Sequence, residues 1–198
     1  MSGCGNAQRE KILEEALKLV AQEGAERMTM RALAQRLGYS PAAIYLHFRS
    51  KEDLLQQLAL CGFERLIQAT EGAHQLADLR EAIIEGGRRY LDFALENPAL
   101  YRLMFEEIDL SRYRGDPSPF VPGRALFDLY RDLYTRAVRA GAIRCVDPEV
   151  HTVIGWSAVH GFAMLALSGR VPPPRMPEKS FGEMRDAFLA FLSESLRA

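Results

Sequence analysis

Apolar positions recur every three or four residues along almost the whole chain, the spacing of helices with one buried face. Ile12, Leu13, Ala16, Leu17 and Val20 form one stripe, ended by Gly24. Met30, Leu33, Ala34 and Leu37 form a second, with Gly38 where a helix C-cap favours positive φ. Leu54, Leu55, Leu58, Leu66 and Ile67 mark a long third. Asp78 to Glu96 predicts a helix halted at Asn97-Pro98, and Pro98 suits the first turn of a short helix, PALYRLMFEE. From Asp109 to Gly123 the prolines and glycines of SRYRGDPSPFVPG predict a loop. Helical spacing resumes over Arg124 to Ala140, over Pro148 to Ser168 behind the cap Asp147, and over Phe181 to Arg197. The stiff segment RVPPPRMPEKS separates the last two. Strand-like alternation never persists, so the pattern predicts an all-α chain of nine helices without internal repeats.

Composition fits a folded chain: 198 residues, 48% hydrophobic and 26% charged, suffice for a sizeable core. Twenty-five Lys and Arg against 26 Asp and Glu leave a net charge of -1, so any nucleic-acid contact must come from a local patch. No run approaches the roughly 18 consecutive apolar residues of a membrane span. The opening MSGCGNAQREKILEE lacks the apolar centre of a secretory signal, so a cytoplasmic protein without membrane partners is expected. Cys4, Cys61 and Cys145 are widely spaced with no CxxC pair, which suits reduced thiols. There is no GxSxG, no phosphate-binding glycine loop and no HExxH, and His47, His74, His151 and His160 lack ligand spacing. Cys145 has no distinct electropositive helix N-terminus that would make it a nucleophile beside His160. Neither an enzyme nor a metal or cofactor is expected.

The informative stretch is TMRALAQRLGYSPAAIYLHFRSKEDLL, residues 29 to 55. Thr29 can cap one short helix, Gly38-Tyr39-Ser40 makes a turn, and Ser40-Pro41 caps a second helix running to about His47. Two short helices joined by a tight glycine turn form a helix-turn-helix, whose second helix enters the DNA major groove. Ile44 and Phe48 would anchor that helix, leaving Pro41, Ala42, Ala43, Tyr45, Leu46 and His47 for DNA. Residues 1 to 51 carry eight Lys and Arg against five Glu, a net of +3, while the remainder carries 17 against 21. Positive charge thus gathers where phosphates would lie. Ser50-Lys51-Glu52-Asp53 fits a helix-capping pattern, with Lys51 in the first turn as a phosphate site.

At these residues the sequence resembles the tetracycline-repressor (TetR) family of bacterial transcription regulators. The likeness runs from Lys11 to Leu55 and rests on Gly24, Thr29, Ala34, Gly38, Ser40, Ile44, Tyr45, His47, Phe48, Lys51 and Leu54. It implies that Thr29, Tyr45, His47 and Lys51 hold phosphates; Ser40 is the cap of the second helix, and Arg31, Pro41, Ala42 and Ala43 are expected nearer to base edges. One departure is Ala42, where the family usually has Gly. Without DNA, Tyr45 and His47 are simply exposed polar residues, and Thr29 and Ser40 are caps in either case.

On this reading residues 1-50 are a DNA-binding domain and 51-198 a ligand-binding and dimerisation domain. GWSAVHGFAMLAL places Trp156 and His160 four apart, followed by Gly161 and Met164. With NPALYRLMFEE it resembles a C-terminal ligand-binding domain of the same family, named for a Trp-His-Gly signature. Aromatic, Met and small residues on facing helices can leave a cavity. Phe93, Tyr101, Met104, Phe105, Tyr130, Trp156, His160 and Met164 are the expected ligand contacts, with Tyr90 and Phe127 nearby. A filled core with His160 satisfied by a neighbour is the competing reading. Gly86-Gly87 reads as a soft point or a close-packing site, and Arg88 and Arg89 as paired surface charge or partners of an anionic ligand group. The expectation is a homodimeric repressor on a pseudo-palindromic double-stranded operator, released by a small, mostly apolar effector. Val150, Val153, Ile154, Phe188, Leu189, Phe191, Leu192 and Leu196 would supply the dimer surface. The alternative is a ligand-binding or scaffold protein that has lost DNA binding.

Overall fold

The computed structural model describes residues 7–107, 123–144 and 147–197. The expected loop over 108–122, and Cys4 and Cys145, lie outside the described residues. Those residues hold nine α-helices and no strand. The helices are α1 (Ala7–Glu23), α2 (Met30–Leu37), α3 (Pro41–Tyr45), α4 (Lys51–Glu71), α5 (Leu79–Glu96), α6 (Pro98–Arg102), α7 (Arg124–Arg139), α8 (Pro148–Leu167) and α9 (Phe181–Ser195). A 3-10 turn, Gly72–Gln75, follows α4, and a π-helical turn, Leu103–Glu107, extends α6. The short helix expected over PALYRLMFEE is therefore α-helical only in its first half.

The chain forms two compact units. The first takes residues up to Glu64 together with the segment beginning at Asn97, so it contains α1 to α3, α4 as far as Glu64, and α6 with its π turn. Its core is Ile12, Ala16, Leu19, Met28, Leu33, Ile44, Phe48, Leu54, Leu100, Tyr101, Leu103 and Met104, all buried. Helix α6 packs on α1, and Phe105 meets Phe63 edge-on at 5.3 Å and Tyr101 at 4.8 Å between ring centres. A sequence boundary at residue 50 marks the start of α4, whereas this unit extends along α4 and recruits α6.

The second unit takes Arg65–Glu96 and Gly123–Ala198. Helix α5 is its axis, packed against α7, α8, α9 and the 3-10 turn. That position explains why α5 buries nine of its residues, among them Ala82, Ile83, Tyr90, Leu91 and Phe93, and why two of the nine are Gly86 and Gly87. Helix α9 is tied to α5 by Arg185 to Asp92 at 3.0 Å, Arg88 to Asp186 at 3.2 Å and Arg80 to Ser193 at 2.8 Å. Phe188 of α9 stacks on Phe162 of α8 at 4.5 Å. Caps define the ends: Asp147 accepts from the amides of Glu149 and Val150, and Ser180 with Glu183 forms a reciprocal capping box.

Among the described residues α8 is, by length and composition, long and apolar enough to cross a membrane, although no unbroken apolar run had been expected. Its apolar residues are interrupted by His151, Thr152, Ser157 and His160. One face of it is open: Val150, Val153, Ile154 and Leu165 are exposed, Ile154 by 57%.

Candidate nucleic-acid interface and effector site

The helix-turn-helix is built by local hydrogen bonds. Thr29 Oγ1 accepts from the Ala32 amide at 3.1 Å, and Ser40 Oγ accepts from the Ala43 amide at 3.2 Å. Each cap contributes about 1 kcal/mol to a helix too short to stand alone. Gly38 takes φ 68° and its amide closes back onto the carbonyls of Ala34 and Gln35. A side chain would strain that left-handed turn, so glycine sets the angle between α2 and α3. Helix α3 is shorter than expected: it stops at Tyr45, and Leu46 and His47 continue as a turn.

Ile44 and Phe48 are buried and hold α3 against its neighbours. The opposite side faces outward. Pro41 and Ala42 are exposed, Ala43 and His47 half-buried, Tyr45 is 52% exposed and Leu46 85%. The Ala42 methyl points into open surface and so is compatible with the fold. Arg31 and Thr29 are exposed at the start of α2.

Lys51 has a structural bond that its charge alone does not foretell. Its Nζ donates to the Glu26 carbonyl at 2.7 Å, stitching the loop after α1 to the start of α4. Ser50 accepts from the Asp53 amide at 3.1 Å, and the Asp53 carboxylate reaches back to the Arg49 amide at 2.8 Å. Other cations of the basic patch are already engaged: Lys18 and Arg36 pair with Glu15, and Arg9 bonds Gln57 and covers the Phe48 ring. Lys11, Arg27, Arg31 and Arg49 are exposed and make no ion pair among the described residues, although Arg49 is tied through its backbone. Charge counting along the sequence includes Arg27 and Arg49 but cannot separate them from the paired cations.

The expected ligand residues fall into two groups, one in each unit. Tyr101, Met104 and Phe105 belong to the first, where Met104 lies so close to Gly62 that a Cβ there would stand 2.5 Å from its sulfur. Phe93, Tyr130, Trp156, His160 and Met164 belong to the second. There the Trp156 indole N–H donates to the Tyr90 hydroxyl at 3.2 Å, and that hydroxyl lies 3.5 Å from His160 Nδ1. Trp156 remains 43% exposed. The polar atoms of this trio are directed at one another.

A second polar cluster in the same unit was not expected. His74, in the 3-10 turn, meets the Tyr130 ring edge-on at 4.8 Å. Both imidazole nitrogens and the Tyr130 hydroxyl are buried without a hydrogen-bond partner among the described residues. Thr70 stands beside Tyr130; its hydroxyl hydrogen is directed to the carbonyls of Leu66 and Ile67 at 3.0 and 3.1 Å, which leaves its oxygen as an acceptor toward which the Tyr130 hydroxyl can turn. Burial, and then the Arg136 guanidinium, hold the His74 imidazole below its ordinary pKa, with Glu71 acting in the opposite sense. Burial likewise pushes the Tyr130 phenol above its ordinary range. Both groups are therefore neutral near pH 7. Tyr130 is among the ligand contacts expected from the sequence, but its pairing with His74 is not, because His74 belongs to no recognisable motif.

Gly86 and Gly72 frame the cluster. A Cβ on Gly86 would fall 2.7 Å from the Tyr130 hydroxyl, and one on Gly72 2.5 Å from Arg89 Nη1. Gly86 is thus a close-packing site. Arg89 pairs with Glu85 at 2.8 Å, and Arg88 with both Glu85 and Asp186. No cluster of metal-binding side chains occurs among the described residues.

Similarity to known proteins covers both the helix-turn-helix and the C-terminal part of the chain. Residues 12–58 match the family described as bacterial regulatory proteins, tetR family, and residues 83–188 match the tetracyclin repressor-like C-terminal domain. The transcriptional repressor AcnR of Corynebacterium glutamicum is 30% identical over 164 residues, covering 81% of this chain and 78% of that protein. The class C tetracycline repressor of Escherichia coli is 46% identical over 52 residues, which are 26% of this chain and 24% of that protein. A solved structure from Rhodococcus sp. RHA1, of unknown function, superposes with a TM-score of 0.80 at 26% identity over the whole of both chains. A helix-turn-helix with these caps, joined to a helical unit matched over most of its length, places the chain in the TetR family of bacterial transcription regulators.

Proposed function

We propose that this TetR-family regulator represses transcription as a homodimer on a pseudo-palindromic operator and leaves it when a small, mostly apolar effector binds the second unit. The observation that carries the DNA half is the outward face of α3, with Pro41, Ala42, Tyr45 and Leu46 exposed over a buried Ile44–Phe48 anchor. Thr29, Tyr45, His47 and Lys51 are assigned to phosphates, joined by Arg27 and Arg49. Arg31, Pro41, Ala42 and Ala43 are assigned to base edges, and Ser40 to capping. One short recognition helix offers few base contacts, so useful specificity needs two half-sites and a two-fold protein. The exposed apolar residues of α8, with Phe191 of α9 at 69% exposure, suit a partner pair of helices.

On the effector side, Phe93, Tyr130, Trp156, His160 and Met164 are assigned to the ligand, and Tyr101, Met104 and Phe105 to packing within the first unit. Helix α4 contributes residues to both units as one continuous helix. Displacing its end beside the 3-10 turn therefore bears on Lys51 at its start, a rigid-body route for coupling. Effector and operator then oppose each other reciprocally, typically by about 1–3 kcal/mol.

An electrophoretic shift with the DNA upstream of the protein's own gene tests the reading. Retardation is expected at low salt, where phosphate contacts are strongest. Failure to shift any upstream fragment would favour a ligand-binding protein that has lost DNA binding.

A further inference from the structure

The second unit holds two polar clusters of opposite character. In the Tyr90–Trp156–His160 trio the hydrogen-bonding groups are directed at each other. In the His74–Tyr130 pair all three polar atoms are buried and unmatched. A folded chain rarely leaves such atoms without protein or water partners, and each one that persists calls for a specific reason. Here the unmatched atoms come from two touching side chains on separate elements, the 3-10 turn and α7, with Gly86 packed closely against the Tyr130 hydroxyl and Gly72 against Arg89.

We infer that His74 and Tyr130 form the polar anchor of the effector site, taking an oxygen acceptor, specifically the carboxylate of a small molecule with an apolar remainder. The Tyr130 hydroxyl supplies one donor and the neutral imidazole N–H a second. The surroundings favour an anion over a cation. Arg136 reaches the His74 carbonyl at 3.5 Å, and Arg89 lies over Gly72. The opposing carboxylates are Glu85, shared between Arg88 and Arg89, and Glu71. Arg89 can turn from Glu85 toward a bound carboxylate, since Glu85 keeps Arg88 as a partner. The aliphatic part of the ligand is assigned to Phe93 and Met164 of the same unit. Trp156 and His160 would then shape the apolar side without supplying its polar contact.

The anchor rests on the reading of the second unit as the effector domain, and direct binding tests it without any DNA. Octanoate is the probe, with octanol as the matched control lacking a carboxylate. Only four histidines are present, so the imidazole resonances of the full-length protein can be assigned by single substitutions. Octanoate is expected to move the His74 resonance and raise the melting temperature, and octanol to do neither at equal concentration. Tyr130→Phe removes the unmatched hydroxyl, so its melting temperature should equal or exceed that of wild type while octanoate affinity falls about tenfold. His74→Gln, which keeps a polar side chain, should lose affinity to a similar extent. An unmoved His74 resonance, equal binding of octanol, or unchanged affinity in both variants would overturn the anchor. Octanoate binding at His74 with no change in operator affinity would keep the anchor and overturn effector-controlled release. A shift failure with every upstream DNA, alongside intact octanoate binding, would strike only the repressor reading.

Discussion

Gly86 and Tyr130 show how one atom decides a packing outcome. Adding a methyl at position 86 puts a carbon 2.7 Å from the Tyr130 hydroxyl, with α5 buried on that side. Gly86→Ala is expected to cost about 1–3 kcal/mol, the usual penalty of overpacking. Combining it with Tyr130→Phe should recover part of that loss, which a double-mutant cycle by denaturant unfolding would detect. An unrecovered double variant would place the clash elsewhere on the ring. His74 makes a pH prediction with a definite sign. Its pKa is lowered in the folded state, chiefly by burial and then by Arg136. The unfolded chain therefore takes up the proton first on acidification, so this contribution to stability is full above about pH 6.5 and is lost as pH falls through the depressed folded pKa. The decline in melting temperature between pH 7 and pH 5 should be shallower in His74→Gln. An identical decline would mean that other groups control the acid limb.

At the scale of elements, the α2–α3 unit depends on a few local bonds and presents one unusual residue. Leu46, an apolar side chain directly after α3, is 85% exposed. An aliphatic group on a reading element is suited to the methyl of thymine. Leu46→Ala is expected to leave the fold intact and to reduce discrimination for a T·A pair by about 1 kcal/mol, measured by competition among operators substituted at single positions. Uniform weakening across all operators would move Leu46 off the base edges. Lys51 should behave in the contrary way. Lys51→Ala is expected to weaken all sequences alike and to reduce the salt slope by about one. Because Lys51 also bonds the Glu26 carbonyl, a small loss of stability should accompany it. A changed sequence preference with an unchanged slope would contradict the phosphate assignment.

For the whole molecule, the exposed apolar residues of α8 and α9 are a feature that packing within the second unit does not explain. Leu189 and Leu196 are buried in the second unit, whereas Ile154 and Phe191 remain outside. Of the dimer residues expected from sequence, these last two are therefore the sharper test. Ile154→Glu with Phe191→Glu is expected to convert a dimer to a monomer of 22.3 kDa in sedimentation at micromolar concentration. Operator affinity should fall with it, since a monomer reads one half-site. A wild-type protein that already sediments as a monomer would remove the two-fold model.

What could be read from the chain alone was what depends on near neighbours. Thr29, Gly38, Ser40 and Asp147 declare helix ends because caps and left-handed turns are made by residues three or four apart. Ile44 and Phe48 declare a buried face because period alone identifies it, and the family resemblance supplied the meaning of that face. Three matters waited for the folded chain. Periodicity says that a face is buried but not against what, so Tyr101 and Met104 could not be allotted to the first unit, nor Trp156 to Tyr90. Charge counts do not distinguish Arg36, held by Glu15, from the exposed Arg31. The His74–Tyr130 pair was invisible for the deepest reason: an unmatched hydrogen-bonding atom is defined by everything packed around it, and that environment exists only once distant segments have come together.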